Sequence, residues 1–183
     1  MRARGSATVE DLRQVPEKAE LVGGAIVRMT PAGGNHGYAS GEIVASLRDY
    51  ARRTGLGCAL GDNIGFIVSL PNRRSFSPDA AFHVGLLSDD FIDGAPIFAV
   101  EIRSKKDYGP SAEARLSAKR ADYFAAGTRV VWDVELHRVG WVRVYRAADP
   151  ANASEHRRGD MADAEPAVPG WSMPVDDLFP REG

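Results

Sequence analysis

The chain has 183 residues, of which 44% are hydrophobic and 26% are charged. This length and balance are typical of one globular domain with a sizeable core, and they exclude a mostly disordered chain, a collagen-like repeat and a coiled coil. The formal net charge is −2, from 23 basic and 25 acidic residues. No global positive field therefore indicates nucleic acid, and any such binding must use a local patch.

The sequence also limits the compartment in which we expect the protein. No apolar run approaches the roughly 20 residues that cross a bilayer, so we expect no transmembrane helix and no membrane partner. Residues 1–10 begin with basic side chains but lack the apolar centre of a signal peptide. Cys58 is the only cysteine, which excludes a disulfide framework and a cysteine zinc site within one chain. We therefore expect a reducing, cytoplasmic location.

The first third of the chain predicts a short helix, a hairpin and a long helix. Residues 8–12 are typical of a short helix capped by Thr8, and a glycine pair between two apolar runs predicts a hairpin over 20–29. The next helix is expected from about residue 36 to 53, with Asn35 as its cap. Spacings of four and three place one set of its residues on a single buried face: His36, Ser40, Ile43, Leu47 and Tyr50.

Short strands alternate with one further helix in the rest of the chain. The expected strands are residues 58–60, 65–70, 79–84, 97–102, 129–134 and 141–145. The second long helix is expected from about residue 111 to 126, closed by Gly127. The polar stretch of about 147–169 is interpreted as a long surface excursion before the chain returns to the core at Trp171. This interleaving predicts an α/β or α+β fold with one central sheet and one core.

Two acidic residues stand out by their position. Asp79 follows Pro78 at the start of a predicted strand, where a sheet gives way to a loop. Glu101 lies inside the most apolar predicted strand, where a carboxylate is costly unless it is paired, hydrogen-bonded or bound to a cation. Arg103 projects from the same face as Glu101, because side chains alternate along a strand. One interpretation is therefore a structural ion pair between Arg103 and Glu101.

A lysine on the second long helix supports a different interpretation. Lys119 lies in the middle of a mostly apolar stripe. The other residues of the stripe are Ala112, Leu116, Tyr123 and Ala126. This stripe would bring Lys119 over the sheet, towards the strand ends that carry Asp79 and Glu101. Two alternatives stay open: a less consistently apolar stripe with Arg120 at its centre, and a Lys119 side chain that reaches solvent along its apolar stem.

The order and spacing of these residues resemble a known nuclease family. Pro78–Asp79, then Glu101 on a buried strand, then a helix with a lysine four residues before a tyrosine, are similar to the PD-(D/E)XK nuclease superfamily. More narrowly, the chain resembles the Uma2 family, also called DUF820, whose members are described as candidate restriction endonucleases. The matching segments, weak singly but fairly specific in their order, are Glu20-Leu-Val-Gly-Gly, Met29-Thr-Pro, His36-Gly, Pro78-Asp-Ala-Ala-Phe82, Val100-Glu-Ile-Arg-Ser104, Asp107, Lys119-Arg-Ala-Asp-Tyr123, Ala125-Ala-Gly-Thr128, Val131-Trp132 and Pro169-Gly-Trp171.

This resemblance implies one restriction-endonuclease-like domain over residues 1–183, with a core of about 8–179 and a mixed central sheet flanked by helices. It also implies that Asp79 and Glu101 hold a divalent cation. Mg²⁺, or Mn²⁺ in its place, prefers oxygen ligands and usually keeps several waters, so two carboxylates are enough for a site that a substrate phosphate completes.

The sequence departs from the superfamily pattern at two places. Arg103 stands where the superfamily has a lysine that helps to position the attacking water, whereas Uma2 relatives usually have their lysine on the following helix, which Lys119 matches. Arginine is a poor proton-transfer group because its pKa lies above about 12, so we expect Lys119 to be the catalytic cation and Arg103 to clamp a phosphate or carboxylate. The usual Ser-Pro-Ser-Asp is Ser104-Lys-Lys-Asp107 here, which is either a phosphate-binding embellishment or drift in a copy no longer under catalytic demand.

Weaker candidates surround these residues. Glu20 is either an additional acid at the site or an exposed strand carboxylate, and His36 either lies near the metal or is a core or capping residue. Segment 103–120 is the best local basic patch, and the Arg73–Arg74 pair either extends it or is simply solvated. The phosphate contacts that we expect in this segment are Lys105, Lys106 and Arg115. Nothing in the sequence indicates base-specific readout.

Two hypotheses of different class follow. The first is a cytoplasmic, divalent-metal-dependent endonuclease acting on DNA, in which Asp79 and Glu101 bind the metal. Lys119 would act at the scissile phosphate with help from Arg103, and a homodimer would suit cleavage of two strands. The second is a catalytically degenerate nuclease fold kept as a binding or assembly module. In that case Glu101 and Arg103 would neutralise each other, and Lys119 would point to solvent.

Overall fold

The computed structural model describes residues 6–181 and has helices on both faces of a mixed sheet. The helices are α1 (Val9–Arg13), α2 (Gly34–Thr54), α3 (Pro110–Ala125) and a short 3₁₀ helix (Val175–Leu178). The strands are β1 (Ala19–Val22), β2 (Ala25–Arg28), β3 (Cys58–Leu60), β4 (Phe66–Ile67), β5 (Ser75–Phe76), β6 (Ala80–His83), β7 (Ile92–Asp93), β8 (Phe98–Ile102), β9 (Val130–Glu135), β10 (Trp141–Arg146), β11 (Asp149–Arg157), β12 (Met161–Asp163) and β13 (Ser172–Pro174).

The central sheet has six strands in the order β11-β10-β9-β8-β6-β3. Strands β8 and β9 run parallel, and the other neighbouring pairs of this sheet run antiparallel. The β1-β2 hairpin, the β12-β13 pair and the β5-β4-β7 sheet surround it. The expected α/β or α+β class, with a mixed central sheet flanked by helices, is therefore confirmed.

The two long helices cover opposite faces of the central sheet. Ile43 and Leu47 of α2 share a core with Trp132 of β9. Tyr123 of α3 belongs to a second core that contains Val131, the residue next to Trp132 along the same strand. Because consecutive strand residues point to opposite faces, the two cores lie on the two sides of the sheet. Each fully buried side chain of this size stabilises the fold by roughly 1.5–3 kcal/mol.

The helices begin and end close to their predicted positions. In α1, the Thr8 hydroxyl accepts a hydrogen bond from Asp11 N (3.2 Å) and the Asp11 carboxylate accepts one from Thr8 N (2.8 Å), a complete capping box. Helix α2 begins at Gly34, so Asn35 lies within its first turn and its prediction as the cap is wrong. Gly55 ends α2 with a left-handed φ of 71°. Among residues 6–181, no helix has the combination of length and hydropathy that a membrane span requires.

Residues 147–169 are mostly exposed, as expected, but they include two regular strands, and the chain returns to the core before Trp171. The first part of this stretch is β11, which pairs with β10 along the edge of the central sheet. The second part buries Ala162 and Val168 in the core shared with α2. An edge strand tolerates Pro150, because the side of the strand away from the sheet needs no ladder hydrogen bond. Most side chains of β11 are exposed, so its polar composition looks like that of a loop.

The fold places the start of β6 beside the end of β8. These strands are antiparallel, with Ala80 opposite Val100, so Asp79 and Glu101 lie at the same end of the sheet. The first turn of α2, the start of α3 and the β1-β2 hairpin surround this end, and residues from all of them line one cleft there. The two acids predicted from sequence therefore share one location.

Candidate active site

Asp79 is held by backbone groups of β8 and by a serine side chain of α2. Its N–H donates to Val100 O (3.0 Å), and Ile102 N–H donates to Asp79 Oδ2 (2.8 Å). The Ser40 hydroxyl on α2 donates to the Asp79 carbonyl oxygen (2.6 Å). These bonds place the carboxylate across the end of β8, with its side chain 9% exposed.

Two basic side chains contact this carboxylate. Lys18 Nζ lies 2.7 Å from Asp79 Oδ1 and 2.5 Å from Asp62 Oδ1, and His36 Nε2 lies 3.2 Å from Asp79 Oδ2. Burial by itself raises the pKa of Asp79, but the His36 hydrogen bond and the Lys18 charge outweigh it and hold the pKa well below its ordinary value. Burial lowers the pKa of His36, but Asp79 outweighs that effect and raises it. Asp79 is therefore ionised. His36 lies beside this residue, which is one of the two predicted metal ligands.

Glu101 points from β8 towards α3. Lys119 Nζ lies 2.8 Å from Glu101 Oε2, and the Tyr123 hydroxyl donates to Glu101 Oε1 (2.7 Å). Burial raises the pKa of Glu101, and the nearby carboxylates of Asp79 and Glu20 add to that rise against the opposing effect of Lys119. Burial and the neighbouring carboxylates thus make the charged form of Glu101 costly, and a cation beside it would lower that cost. Lys119 is only 14% exposed, so the alternative in which it reaches solvent is wrong.

Glu20 is a third acid of the same cluster. It lies on β1 with its side chain 5% exposed, so its interpretation as an exposed strand carboxylate is wrong. Lys119 Nζ lies 2.8 Å from Glu20 Oε1, Ser77 N–H donates to the same oxygen (2.9 Å), and Arg73 Nη1 lies 2.6 Å from Glu20 Oε2. Burial raises the pKa of Glu20, but the charges of Lys119 and Arg73 outweigh it and lower the pKa. Lys119 thus bridges Glu20 and Glu101.

Arg103 turns away from Glu101 and pairs with Asp133 on β9. Arg103 Nε lies 2.7 Å from Asp133 Oδ1 and Nη2 lies 2.8 Å from Oδ2, while both terminal nitrogens also contact Glu113 on α3. The predicted Arg103–Glu101 pair is wrong, because the parallel register of β8 and β9 brings Asp133 onto the same face beside it. Of the two roles expected of Arg103, the carboxylate clamp is confirmed by its bonds to Asp133 and Glu113. The phosphate clamp is corrected, since the side chain is 2% exposed and all three of its nitrogens bind the chain's own acceptors.

The three acids and Lys119 line a cleft of about 1320 Å³. The residues expected to contact phosphates, Lys105, Lys106 and Arg115, line the same cleft. The two lysines are exposed in the turn between β8 and α3. Arg115 is 60% exposed, and its Nη2 lies 2.5 Å from Asp107 Oδ1. The basic residues predicted from sequence therefore lie around the acids rather than elsewhere on the surface.

The donor chemistry of Asp79 and Glu101 fits a hard divalent cation. Both side chains offer carboxylate oxygens, lie at neighbouring strand ends and line one cleft. Within residues 6–181, no group of three or more histidine, cysteine, aspartate or glutamate side chains is arranged to hold a metal ion. Two carboxylates suit an open site that waters and a substrate phosphate complete. The residues therefore fit Mg²⁺ or Mn²⁺ as an open site and not as a closed cage.

Several residues of the site were not found from sequence. Lys18 directly precedes β1, and strand alternation puts it on the same side as Glu20, a signal that would have identified it. Asp62 lies in a loop with no periodic pattern. Arg73 does not extend an exposed basic patch, because it is buried between Glu20 and Asp122, with Nε 2.8 Å from Asp122 Oδ2. Residues in turns carry little sequence information about which partner they meet.

Comparison with known proteins agrees with this architecture. The family model described as "Uma2: Putative restriction endonuclease" matches residues 9–176. The chain is also similar to the crystal structure of a "putative nuclease belonging to DUF820" from Anabaena variabilis ATCC 29413, with 18% identity and a TM-score of 0.74, over 94% of this chain and 97% of that one. At this identity the likeness shows the fold. No curated protein matches the chain. Since the family model covers most of its length, the chain belongs to the Uma2 family of putative restriction endonucleases.

Proposed function

We propose that this protein is a divalent-metal-dependent endonuclease that hydrolyses phosphodiester bonds in DNA. The observation that carries the proposal is that Asp79 and Glu101 lie side by side at neighbouring strand ends. Lys119, on helix α3, contacts Glu101 there. This set suits metal-dependent hydrolysis of a phosphodiester, which uses a metal-activated water and nearby positive charge. Membership of the Uma2 family supports the same reaction class.

The two carboxylates and the lysine have separate roles in this proposal. Mg²⁺ or Mn²⁺, when bound, would polarise the phosphoryl oxygen and lower the pKa of a bound water. Asp79 and Glu101 would hold that cation. Burial lowers the pKa of Lys119, but the carboxylates of Glu101 and Glu20 outweigh it and hold the pKa above its ordinary value. Lys119 therefore stays a cation, which suits stabilisation of developing negative charge better than proton transfer.

The basic residues around the cleft give a place for the DNA backbone. Lys105 and Lys106 are exposed in the turn after β8, and Arg115 lies on the first turns of α3. Contacts of this kind neutralise phosphates and position a duplex without reading its sequence. We expect sequence preference, where it exists, to come from other parts of the protein or from DNA shape.

Cleavage of a plasmid in the presence of Mn²⁺ tests the proposal. Asp79→Asn and Glu101→Gln should each reduce the cleavage rate by about 100-fold or more, the size of losing one transition-state contact. Asp49→Asn is the matched control, because Asp49 is an exposed acid on α2 outside the cleft. Circular dichroism should show that all variants fold. Undiminished cleavage by an Asp79→Asn, Glu101→Gln double variant would sink the proposal.

The alternative, a catalytically degenerate binding or assembly module, made two structural predictions that fail. A pair between Glu101 and Arg103 would favour it, but Arg103 pairs with Asp133 instead. A Lys119 side chain that points to solvent would favour it too, whereas Lys119 lies between two acids. The homodimer and the cytoplasmic location stay part of the proposal. Sedimentation of the purified protein, alone and with a short duplex, measures the molecular mass and so tests the homodimer directly.

A further inference from the structure

Lys18 bridges two acids of very different exposure. Its Nζ lies 2.7 Å from Asp79 Oδ1 and 2.5 Å from Asp62 Oδ1. The Asp79 side chain is 9% exposed, whereas that of Asp62 is 46% exposed, and Lys18 itself is 16% exposed. All three residues line the cleft. The ammonium group therefore sits between a buried acid and an acid at the rim.

The second lysine of the cleft is held differently. Lys119 lies between Glu20 and Glu101, whose side chains are 5% and 18% exposed. Both of its partners are thus largely buried, and if Lys119 moved away from either one, that carboxylate would be left as an uncompensated buried charge. Lys18 in contrast has one partner near solvent, so moving towards Asp62 keeps an ion pair and releases Asp79. Of these two lysines, Lys18 is the one that can move at low cost.

The two oxygens of Asp79 are not equivalent. Oδ2 lies within hydrogen-bond distance of Ile102 N and His36 Nε2, at 2.8 and 3.2 Å. Oδ1 is the oxygen that Lys18 contacts. A cation that approaches Asp79 from the cleft therefore meets an Oδ1 that the Lys18 ammonium group already contacts. Two cations bound to one oxygen repel each other, and the repulsion is strong because little bulk water screens it.

We propose that Lys18 occupies the cation position at Asp79 Oδ1, and that a divalent cation binds there by displacing the Lys18 ammonium group towards Asp62. This inference rests on the proposed metal-dependent function. Lys18 then keeps the Asp79 carboxylate neutralised between turnovers and lowers the affinity of the site for cations. Asp62 is a positioning residue that receives the displaced lysine.

Calorimetric titration with Mn²⁺, without DNA, measures the competition. Lys18→Met should tighten Mn²⁺ binding by about tenfold, because the cation no longer competes with a charge-assisted hydrogen bond. Lys105→Met is the matched control: it removes the same charge from the same cleft at an exposed position, and should change the affinity much less. Asp62→Asn should weaken Mn²⁺ binding more in the wild-type background than in the Lys18→Met background, since only displacement couples these two residues.

Acylation of lysine amines, followed by peptide mass spectrometry, reports the displacement itself. In the wild-type protein, saturating Mn²⁺ should increase labelling of Lys18 several-fold and leave Lys119 protected. In Asp79→Asn, Lys18 should be labelled equally with and without Mn²⁺. Unchanged Lys18 labelling in a protein that binds Mn²⁺, with no tightening in Lys18→Met, would overturn this inference and leave the metal site standing. No Mn²⁺ binding by either the wild type or Lys18→Met, with or without a short duplex to supply the phosphate, would overturn both this inference and the proposed function.

Discussion

The acids of the cleft are balanced by cations of the same chain, and this decides which substitutions are informative. Lys119 compensates Glu20 and Glu101, both of which are largely buried. Removing one partner of such a set leaves an uncompensated charge and costs about 3–5 kcal/mol of stability. A lysine-to-methionine change at Lys119 would therefore mix lost stability with lost activity. Carboxylate-to-amide changes keep the shape and remove charge, which makes them the cleaner test.

Arg103→Met should destabilise the protein by about 3–5 kcal/mol, because the buried Asp133 would lose both of its short bonds and keep only a 3.3 Å contact with Arg120. Both side chains are 2% exposed, so water cannot replace the lost partner without local opening. Urea unfolding followed by fluorescence measures the change in the free energy of unfolding. A residue that only clamped a phosphate would change DNA binding and leave this free energy unaltered.

The double variant Arg103→Met, Asp133→Asn is the control for this prediction. It removes both charges, so it should recover part of the stability that Arg103→Met loses. Equal destabilisation in the single and double variants would show that the loss comes from packing of the arginine against Trp141, whose ring lies 5.0 Å from the guanidinium carbon, and not from the ion pair.

At the scale of the elements, the turn between β9 and β10 is organised by one carboxylate. Glu135, the last residue of β9, accepts hydrogen bonds from four consecutive backbone N–H groups. The donors are His137, Arg138, Val139 and Gly140, at 2.5, 2.8, 3.1 and 3.1 Å. The Tyr108 hydroxyl donates a further bond of 2.6 Å. This turn carries His137, a residue of the cleft wall, so Glu135 connects the sheet to the shape of the site.

Glu135→Gln should destabilise the protein by about 2–3 kcal/mol at pH 7, since an amide nitrogen cannot accept hydrogen bonds from backbone donors. Burial raises the pKa of Glu135, but the bonds from Tyr108 and the turn outweigh it and lower the pKa. A lowered folded-state pKa gives stability that is full above the unfolded-state value of about 4.3 and is lost as pH falls through the folded-state pKa. The difference between wild type and variant should therefore shrink as the pH falls from 6 to 3.

Urea unfolding at several pH values measures this difference. Glu10→Gln is the matched control, because that glutamate side chain is 78% exposed at the first turn of α1. The control should track the wild type across the whole pH range. A Glu135→Gln deficit that stays constant with pH would show that shape, rather than charge, is what the turn needs from this residue.

The elements with a regular pattern could be predicted from sequence, and those held mainly by neighbours could not. The period of α2 identifies its buried face because packing requires that spacing, whereas β5 and β7 are two residues each and have no period. The long edge strand β11 is mostly exposed, and its position comes from pairing with β10. In the site, alternation predicts that Glu101 and Arg103 share a face, but the partner of Arg103 depends on the register between β8 and β9.

At the scale of the whole molecule, the position of charge matters more than its sum. The chain has a net charge of −2, which gives no long-range attraction for DNA. The exposed basic pair of Lys105 and Lys106 nevertheless lies on the cleft, whereas a second exposed basic pair, Arg52 and Arg53, lies in the last turn of α2. Helix α2 has 21 residues and its first turn lines the cleft, so the arginine pair is about 25–30 Å away.

These two pairs allow a matched test of where the DNA backbone lies. Replacing Lys105 and Lys106 by glutamine should reduce the slope of log K against log salt for duplex binding by about 2, because each lost phosphate contact removes about 0.9. Replacing Arg52 and Arg53 by glutamine removes the same charge and should leave the slope unchanged. Fluorescence anisotropy with a labelled duplex, in Mg²⁺ and in a Glu101→Gln background that does not cleave, measures both slopes. Equal reductions of the slope in the two double variants would mean that DNA binding depends only on total charge. A reduced slope in the arginine double variant alone would place the duplex at the far end of α2, away from the cleft.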